Sequence, residues 1–261
     1  MREQQNWPLG GRHQQIFEHV MAQGSVKISQ LAKSLGVSEM TIRRDLEELE
    51  ERQLVLRTHG GVVLREGTAF DRDFSRRRME HLAEKGEIAQ RAVQLIEPGD
   101  VLGLDASTTV LELSRLLGRV SNLTVVTNNL VIPPFLQQYE NVQVISAGGH
   151  LRANALSTVG PLACRTLGEF NYEKVFVSGN AVDSVQGLTD TNSQEIETKC
   201  TMLRHAATRI VLADSSKLGK RAFQRCWPVE QIDILVTDSG ASPEMTQAFA
   251  ERGIQVLQAG L

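Results

Sequence analysis

The sequence predicts an α/β protein with an N-terminal winged helix-turn-helix domain and a larger, mostly parallel α/β domain. Two observations support this prediction. In the first part of the chain, short amphipathic helical segments meet at a glycine-containing turn and precede a hairpin pattern. From residue 85 onward, short runs of Val, Ile and Leu alternate with helical segments, which is typical of a parallel sheet covered on both faces.

The composition of the 261-residue chain is that of a soluble globular protein, with 41% hydrophobic and 23% charged residues. The formal net charge is -3, so bulk basicity does not attract nucleic acid, and any DNA contact must come from placed cations. No apolar run is long enough to span a bilayer. The three cysteines have neither metal-ligand nor disulfide spacing. We therefore predict a cytoplasmic protein without membrane association, metal or cofactor.

The N-terminal domain is predicted over residues 12–65 and begins with a helix over residues 12–23. A second short helix is predicted after Ser29, a plausible N-cap, and ends at Gly36. Apolar side chains at helical spacing give both segments a buried face. These side chains are Ile16, Phe17, Val20, Met21, Leu31, Ala32 and Leu35.

The third predicted helix begins after Ser38, whose hydroxyl suits the N-cap position. Ile42, Leu46 and Leu49 follow i, i+4, i+7 spacing and give this helix one buried face. Its other faces carry hydrogen-bond donors, as a helix that enters the DNA major groove requires. The alternative is an ordinary surface helix with solvated charges. The DNA-contacting residues predicted from this segment are Ser38, Met40, Thr41, Arg43 and Arg44.

Two β-prone runs, residues 54–58 and 62–64, flank a Gly-Gly turn and predict a hairpin. A hairpin directly after a helix-turn-helix is a wing, so we expect Arg57 and His59 to contact phosphate or the minor groove. The alternative is a hairpin whose arginine is merely solvated. The charge-dense residues 66–84 are predicted to form an interdomain linker.

The pattern LA…L…VS…TIRRDL…L over residues 31–49, followed by RTHGG at residues 57–61, resembles the DNA-binding domain of the DeoR family of bacterial transcriptional regulators. The resemblance implies that Thr41, Arg43 and Arg44 face operator DNA. Asp45 is expected to anchor the fold by pairing with a nearby cation, because a carboxylate is repelled by DNA phosphates.

The second domain is predicted over residues 85–261. Its strands are predicted at residues 101–105, 123–127, 142–146, 175–178, 210–214 and 234–238, with an edge strand at 254–257. Its helical segments include residues 88–96, 110–117, 192–207 and 243–252. Continuous apolar strands separated by helices predict a mostly parallel sheet.

Small polar residues and glycine follow the predicted strands, where ligands of open α/β sheets bind. Ser107, Thr108 and Thr109 also open a helix, so their N–H groups, their hydroxyls and the helix dipole suit a phosphate. N-capping alone is the alternative for these three residues. Five polar strand ends together predict a site for an anionic small molecule.

Residues 85–250 resemble the effector-sensing half of the same family, which is similar in fold to ribose-5-phosphate isomerases. The matching stretches include DASTT at 105–109, TN at 127–128, GG at 148–149, GLT at 187–189 and ADSSK at 213–217. The resemblance implies a phosphorylated sugar or a related intermediate as effector, with its phosphate held by Ser107, Thr108 and Thr109. The residues implied to lie near the sugar are Asp105, Asn128, Gly149, Glu195 and Lys217.

These features predict a DNA-binding transcriptional regulator and not an enzyme, and the resemblance implies a repressor of a carbohydrate-utilisation operon controlled by a phosphorylated sugar. One helix-turn-helix reads only a half-site, so a homodimer or homotetramer is expected. One alternative is an aldose–ketose sugar-phosphate isomerase using Glu195, Asp214 and Lys217 as acid–base groups. Another is a metabolite-binding adaptor without operator specificity. An isomerase has no use for a complete winged helix-turn-helix, so its presence favours the regulator over the enzyme.

Overall fold

The computed structural model describes residues 12–13, 15–16, 19–20, 25–51, 55–58, 60–64, 74 and 76–260. The chain divides into two compact units, Met1–Met79 and Glu80–Leu261. This division falls inside the predicted linker, and the first helix of the second unit begins at Leu82, ahead of the start expected at residue 85. The domain bounds 12–65, 66–84 and 85–261 stay predictions.

The N-terminal unit is a winged helix-turn-helix, as predicted. Residues 12, 13, 15, 16, 19 and 20 are helical, followed by α1 (Ile28–Leu35) and α2 (Glu39–Glu51). Strands β1 (Ser25–Lys27), β2 (Val55–Arg57) and β3 (Gly61–Leu64) form an antiparallel sheet in the order β1-β3-β2. The wing is therefore the β2–β3 hairpin, with β1 as a third strand that the sequence pattern did not reveal.

The predicted N-cap at Ser29 is wrong, because α1 already begins at Ile28 with Lys27 in the capping position. The backbone N–H of Lys27 donates to Gln30 Oε1 at 3.2 Å, so a glutamine side chain closes this helix start. The predicted apolar stripe of the next helix is confirmed. Ile42, Leu46 and Leu49 are fully buried in the core of the unit.

The C-terminal unit alternates strands with helices. Its first half contains α3 (Leu82–Ala92), β4 (Val101–Leu104), α4 (Thr108–Ser114), β5 (Leu123–Thr127), α5 (Ile132–Leu136), β6 (Val142–Ser146), β7 (His150–Arg152), β8 (Ser157–Val159) and α6 (Pro161–Gly168). Its second half contains β9 (Tyr172–Val177), β10 (Ala181–Asp183), β11 (Gly187–Asp190), α7 (Ser193–Arg204), β12 (Ala206–Leu212), β13 (Gln224–Trp227), β14 (Ile234–Thr237), α8 (Pro243–Ala250) and β15 (Gln255–Gln258).

Seven strands form one sheet in the order β15-β14-β12-β9-β4-β5-β6, and every neighbouring pair is parallel. The predicted parallel sheet is confirmed. From β4 the chain adds β5 and then β6 on one side of the sheet. It then returns to the other side of β4 with β9 and adds β12, β14 and β15 outward from there. The strand order therefore reverses between β4 and β9, and the carboxyl ends of these two strands flank the crevice where open α/β sheets bind ligands.

Two small antiparallel sheets lie in connections that leave the carboxyl ends of the large sheet. Strands β7 and β8 form a hairpin after β6, and β10, β11 and β13 form a three-stranded sheet. The sequence analysis did not predict these short strands. Because they follow the carboxyl ends of β6, β9 and β12, they add side chains to the edge where the predicted site lies.

Candidate DNA-binding and effector sites

A tight turn positions the recognition helix, α2, against α1. Gly36 has a φ of 66°, a left-handed conformation that favours glycine, and the Val37 N–H donates to Ala32 O at 3.0 Å. The Thr41 N–H then donates to Ser38 Oγ at 3.2 Å. Ser38 is thus a hydrogen-bonded cap, as predicted, and its hydroxyl holds the first turn of the helix.

The face of α2 opposite the core carries the predicted DNA-contacting side chains. Met40 is 76% exposed, and Arg43 and Arg44 are also exposed. Arg43 lies 3.9 Å from Glu39 on the preceding turn. Among the residues that the structure describes, Arg44 makes no hydrogen bond or ion pair, so its guanidinium donors are available. Thr41 Oγ1 shares a 2.9 Å hydrogen bond with Ser38 Oγ, so its hydroxyl also supports the cap.

Asp45 anchors the recognition helix, as expected. Its carboxylate accepts from Arg12 Nε at 2.6 Å and from Arg12 Nη2 at 2.9 Å, and His13 Nε2 lies 3.3 Å away. The hydrogen bond from Arg12 lowers the pKa of Asp45. Asp45 therefore faces the preceding helical segment and is not part of the surface predicted to face DNA.

We expect Asp45→Asn to destabilise the N-terminal unit by about 1 kcal/mol at pH 7, a small value because Arg12 is 41% exposed and solvent screens the pair. A lowered folded-state pKa contributes stability above the unfolded-state pKa, about 3.9, and this contribution is lost as the pH falls through the folded-state pKa. The difference between wild type and variant should therefore vanish at low pH. Hydrogen exchange of the α2 amides in wild type and variant, at pH 7 and below the folded-state pKa of Asp45, measures this difference in stability. Equal protection of the two proteins at pH 7 would contradict the anchoring role.

The wing arginine is bound to the recognition helix. Arg57 Nε donates to Glu50 Oε2 at 2.9 Å, and Arg57 Nη1 donates to Glu47 Oε1 at 2.7 Å. Two carboxylates thus hold Arg57 while its side chain stays 37% exposed, and its contact with DNA stays a prediction. His59, the other predicted wing contact, lies outside the described residues.

Asp105 joins the two strands at which the sheet order reverses. Its Oδ1 accepts from the Ser107 N–H at 3.0 Å, and its Oδ2 accepts from the Ser178 N–H at 3.1 Å. Lys199 Nζ lies 3.5 Å from the same Oδ2 and also pairs with Asp190. Burial raises the pKa of Asp105. Both oxygens of this predicted effector residue are thus engaged by the protein, and they hold the ends of β4 and β9 together.

The loop predicted to hold a phosphate opens α4 beside Asp105. Ser107 Oγ accepts from the Val110 N–H at 3.3 Å, so Ser107 does act as an N-cap. Thr108 and Thr109 are buried at the start of this helix. Within the described part of the chain, Thr109 Oγ1 is buried without a hydrogen-bond partner. A buried hydroxyl without a partner is costly, and a bound ligand is one way to satisfy it.

Two further predicted residues present buried acceptors, each fixed by β8. Asn128 Nδ2 donates to Thr158 O at 3.0 Å. Glu195 Oε1 accepts from Ser157 Oγ at 2.5 Å and from Arg152 Nη1 at 3.1 Å. The remaining oxygens, Asn128 Oδ1 and Glu195 Oε2, are buried without a hydrogen-bond partner in the described chain. Such acceptors suit the hydroxyl groups of a ligand.

Gly149 leads from β6 into the β7–β8 hairpin with a φ of 145°. A Cβ on this residue would lie 2.8 Å from Val159 O and 3.1 Å from the Ala163 side chain. Its predicted importance near the site therefore has a steric basis: only glycine allows the backbone to approach this closely.

Lysine side chains supply the positive charge of the strand-end region. Lys217 Nζ lies 3.4 Å from Ser178 Oγ and 3.5 Å from Asp214 Oδ2. Lys85, on α3, is buried and its ammonium donates to Glu80 O at 2.5 Å. Burial and the neighbouring Lys217 lower the pKa of Lys85 to about 8. Both ammonium groups are partly desolvated and Lys217 disfavours the charge of Lys85, so an anion bound beside them would be stabilising.

Sequence reasoning did not assign roles to Lys85, Arg152, Asp190 or Lys199. Lys85 and Lys199 stand in helices, where charged residues are usually solvated, and only the tertiary fold buries them. Arg152 lies in a strand too short to recognise from sequence. Two signals were available: Lys85 and Lys199 stand in stretches that resemble the DeoR family, and the i, i+4 spacing of Glu195 and Lys199 places both side chains on one face of α7.

Both units of the chain resemble known protein domains. The sequence profile of the DeoR-like helix-turn-helix domain matches residues 12–68, and that of the DeoR C terminal sensor domain matches residues 80–239. The chain belongs to the DeoR family. Within this family it is 36% identical to the uncharacterized HTH-type transcriptional regulator YulB of Bacillus subtilis (strain 168), over 94% of this chain and 95% of that protein.

A second DeoR-type relative is the glycerol-3-phosphate regulon repressor of Escherichia coli (strain K12), with 30% identity over 94% of this chain and 97% of that protein. Among solved structures, ribose 5-phosphate isomerase A of Methanocaldococcus jannaschii overlaps with 53% of this chain and 55% of its own, at 19% identity and a TM-score of 0.39.

Membership of the DeoR family identifies the chain as a DNA-binding transcriptional regulator and not an enzyme. The isomerase alternative is therefore not favoured. In the part of the chain that the structure describes, no helix combines the length and the apolar character that a membrane span needs.

Proposed function

We propose that this DeoR-family protein is a repressor of a carbohydrate-utilisation operon, and that a phosphorylated sugar controls its binding to operator DNA. The observation that carries the proposal is the combination, in one chain, of an exposed arginine-bearing helix and a polar site at the strand-order reversal of an α/β sheet. The name of the Escherichia coli relative, a repressor of a glycerol-3-phosphate regulon, supports both the sign of regulation and a phosphorylated effector.

On the DNA side, Arg44 and Arg43 are proposed to read base edges, because their guanidinium groups lie on the exposed face of α2. Ser38, Met40 and Thr41 occupy the helix start that would enter the groove first. Arg57 and His59 of the wing are proposed to contact the phosphate backbone.

On the effector side, the phosphate is proposed to lie at Ser107, Thr108 and Thr109, with Lys217 as its counter-charge. The sugar hydroxyls would donate to the buried acceptors Glu195 Oε2 and Asn128 Oδ1. Asp105 and Gly149 shape the site, the first by joining two strand ends and the second by allowing close backbone approach.

Operator binding of the wild-type protein tests this function. Fluorescence anisotropy with the promoter region upstream of its own gene should give salt-dependent, sequence-specific binding, and one member of a panel of pentose, hexose and triose phosphates should weaken it. An assay for aldose–ketose isomerisation on the same panel serves as the control for the enzyme alternative. Binding that no sugar phosphate alters would contradict the effector class, and equal affinity for unrelated DNA would contradict the regulator.

We expect the protein to form at least a dimer in solution, since a single helix-turn-helix recognises one half-site and specific operators repeat it. Light scattering on the purified protein, alone and with operator DNA, measures the assembly. A monomer that binds its operator specifically would contradict this expectation. Because operator DNA is chromosomal, the proposed site of action is the cytoplasm.

A further inference from the structure

The wing arginine is held by more contacts than a surface cation ordinarily has. Glu50 accepts from Arg57 twice, at the side-chain Nε (2.9 Å) and at the backbone N–H (3.0 Å). Glu47 accepts from Arg57 Nη1 at 2.7 Å. Both glutamates lie on the recognition helix and Arg57 lies on β2, so these contacts tie the helix to the wing.

The geometry leaves one side of the guanidinium free. Arginine has five N–H donors in a fixed plane, and here Nε and Nη1 face the glutamates. Among the described residues, Nη2 makes no hydrogen bond, and the side chain is 37% exposed. The guanidinium is therefore fixed in orientation while part of it remains open to a ligand.

Acidic residues on a DNA-reading helix need a physical explanation. DNA affinity depends on neutralising phosphates, so a carboxylate near the backbone weakens binding, and removing it ordinarily strengthens binding. The second half of α2 nevertheless carries Glu47, Glu48 and Glu50. A carboxylate that orients a phosphate-binding cation has the opposite effect on affinity, since its loss frees that cation to adopt many rotamers.

We propose that Glu50, assisted by Glu47, is a positioning residue for DNA binding: it fixes Arg57 of the wing relative to the recognition helix so that the free Nη2 meets a DNA phosphate. The inference rests on the proposed contact of Arg57 with the backbone. Glu50 also satisfies the N–H of a strand that is the edge of its sheet, a purely structural role that the test must separate.

The variant Glu50→Gln separates the two roles. Glutamine keeps an oxygen that accepts from the Arg57 N–H, but it loses the charge that holds the guanidinium. Glu48→Gln is the matched control, because it removes the same charge from the same helix at a side chain that is 51% exposed and lies 3.6 Å from His13 Nε2 and not beside Arg57. Arg57→Gln and the double variant Glu50→Gln/Arg57→Gln complete a double-mutant cycle.

The measurement is affinity against salt concentration, by fluorescence anisotropy, for the promoter fragment and for an unrelated duplex. We expect Glu50→Gln to bind both about tenfold more weakly, the loss of a charge-assisted hydrogen bond. The slope of log K against log salt should shrink by about 0.9 for each bound subunit. Arg57→Gln should show the same loss of affinity and the same smaller slope as Glu50→Gln. Adding Glu50→Gln to Arg57→Gln should cause no further loss of DNA affinity. Glu48→Gln should bind as well as wild type or better, with an unchanged slope.

Three results would overturn the proposal: Glu50→Gln binding as tightly as Glu48→Gln, Arg57→Gln leaving the salt slope unchanged, or additive losses in the double variant. A lower melting temperature in Glu50→Gln with an unchanged salt slope would assign it the structural role alone. Phosphate contacts act on any sequence, so the unrelated duplex tests Glu50 even if the promoter fragment is not preferred. Whether the protein prefers the promoter fragment to the unrelated duplex is a separate result, and it tests the proposed operator function.

Discussion

Replacing Arg44 by alanine is expected to abolish specific operator binding while leaving the fold and effector binding unchanged. Arg44 is exposed on the face of α2 opposite Ile42, Leu46 and Leu49, and within the described residues its guanidinium has no protein partner. A lost bidentate base contact costs about 1–3 kcal/mol, and a dimer on two half-sites loses it twice. Affinity for the operator should approach that for unrelated DNA.

The measurement is anisotropy with the fragment that the wild-type protein binds. Arg119→Ala is the matched control, because it removes the same exposed side chain from the C-terminal unit. Circular dichroism and thermal melting should be the same for all three proteins. Wild-type operator affinity in Arg44→Ala would show that α2 does not read DNA through this residue.

The second large effect is expected for Thr108→Asp, which should give a protein that stays on the operator at effector concentrations that release wild type. Thr108 is buried where the effector phosphate is proposed to bind. A carboxylate about 4 Å from a phosphate charge is disfavoured by about 4 kcal/mol at an effective dielectric constant of 20, roughly a thousandfold in affinity. A ligand shifts an equilibrium only through differential affinity, so a protein that cannot bind it cannot respond.

Operator affinity is measured for wild type and variant across the sugar-phosphate panel, with Thr108→Ser as the matched control that keeps the hydroxyl. If the aspartate prevents folding, Lys217→Met removes the counter-charge without adding a buried one, and Lys217→Arg restores it. An identical response to the active compound in wild type, Thr108→Asp and Lys217→Met would show that the phosphate binds elsewhere.

Most of the fold could be predicted because its elements have complete local signals. The stripe of Ile42, Leu46 and Leu49 and the cap at Ser38 define α2 within a dozen residues, and the apolar strands of the large sheet are continuous. β1 could not be predicted, since three residues have no periodicity and its pairing partner, β3, lies more than thirty residues away. The β7–β8 hairpin was also missed, because each of its strands is only three residues long and shows no periodicity, although the two strands are close in sequence.

The candidate site was predicted less completely than the sheet. The polar strand ends were visible in sequence, but the partner of each side chain is set by strand order. Asp105 reaches the Ser178 N–H only because β9 returns beside β4. Similarly, Arg152 meets Glu195 through a hairpin whose existence depends on tertiary contacts. Sequence patterns identify which residues follow strands, whereas contacts between distant loops require the topology.

The placement of the β7–β8 hairpin has a consequence for engineering. Arg152 and Ser157, which orient Glu195, come from this hairpin and not from the large sheet. Substitutions there would change the contacts that orient Glu195, which is proposed to accept from sugar hydroxyls, without removing any strand from the seven-stranded sheet. Under the proposed function, a biosensor for a new sugar phosphate is best sought by randomising this hairpin first, because the seven-stranded sheet would stay unchanged.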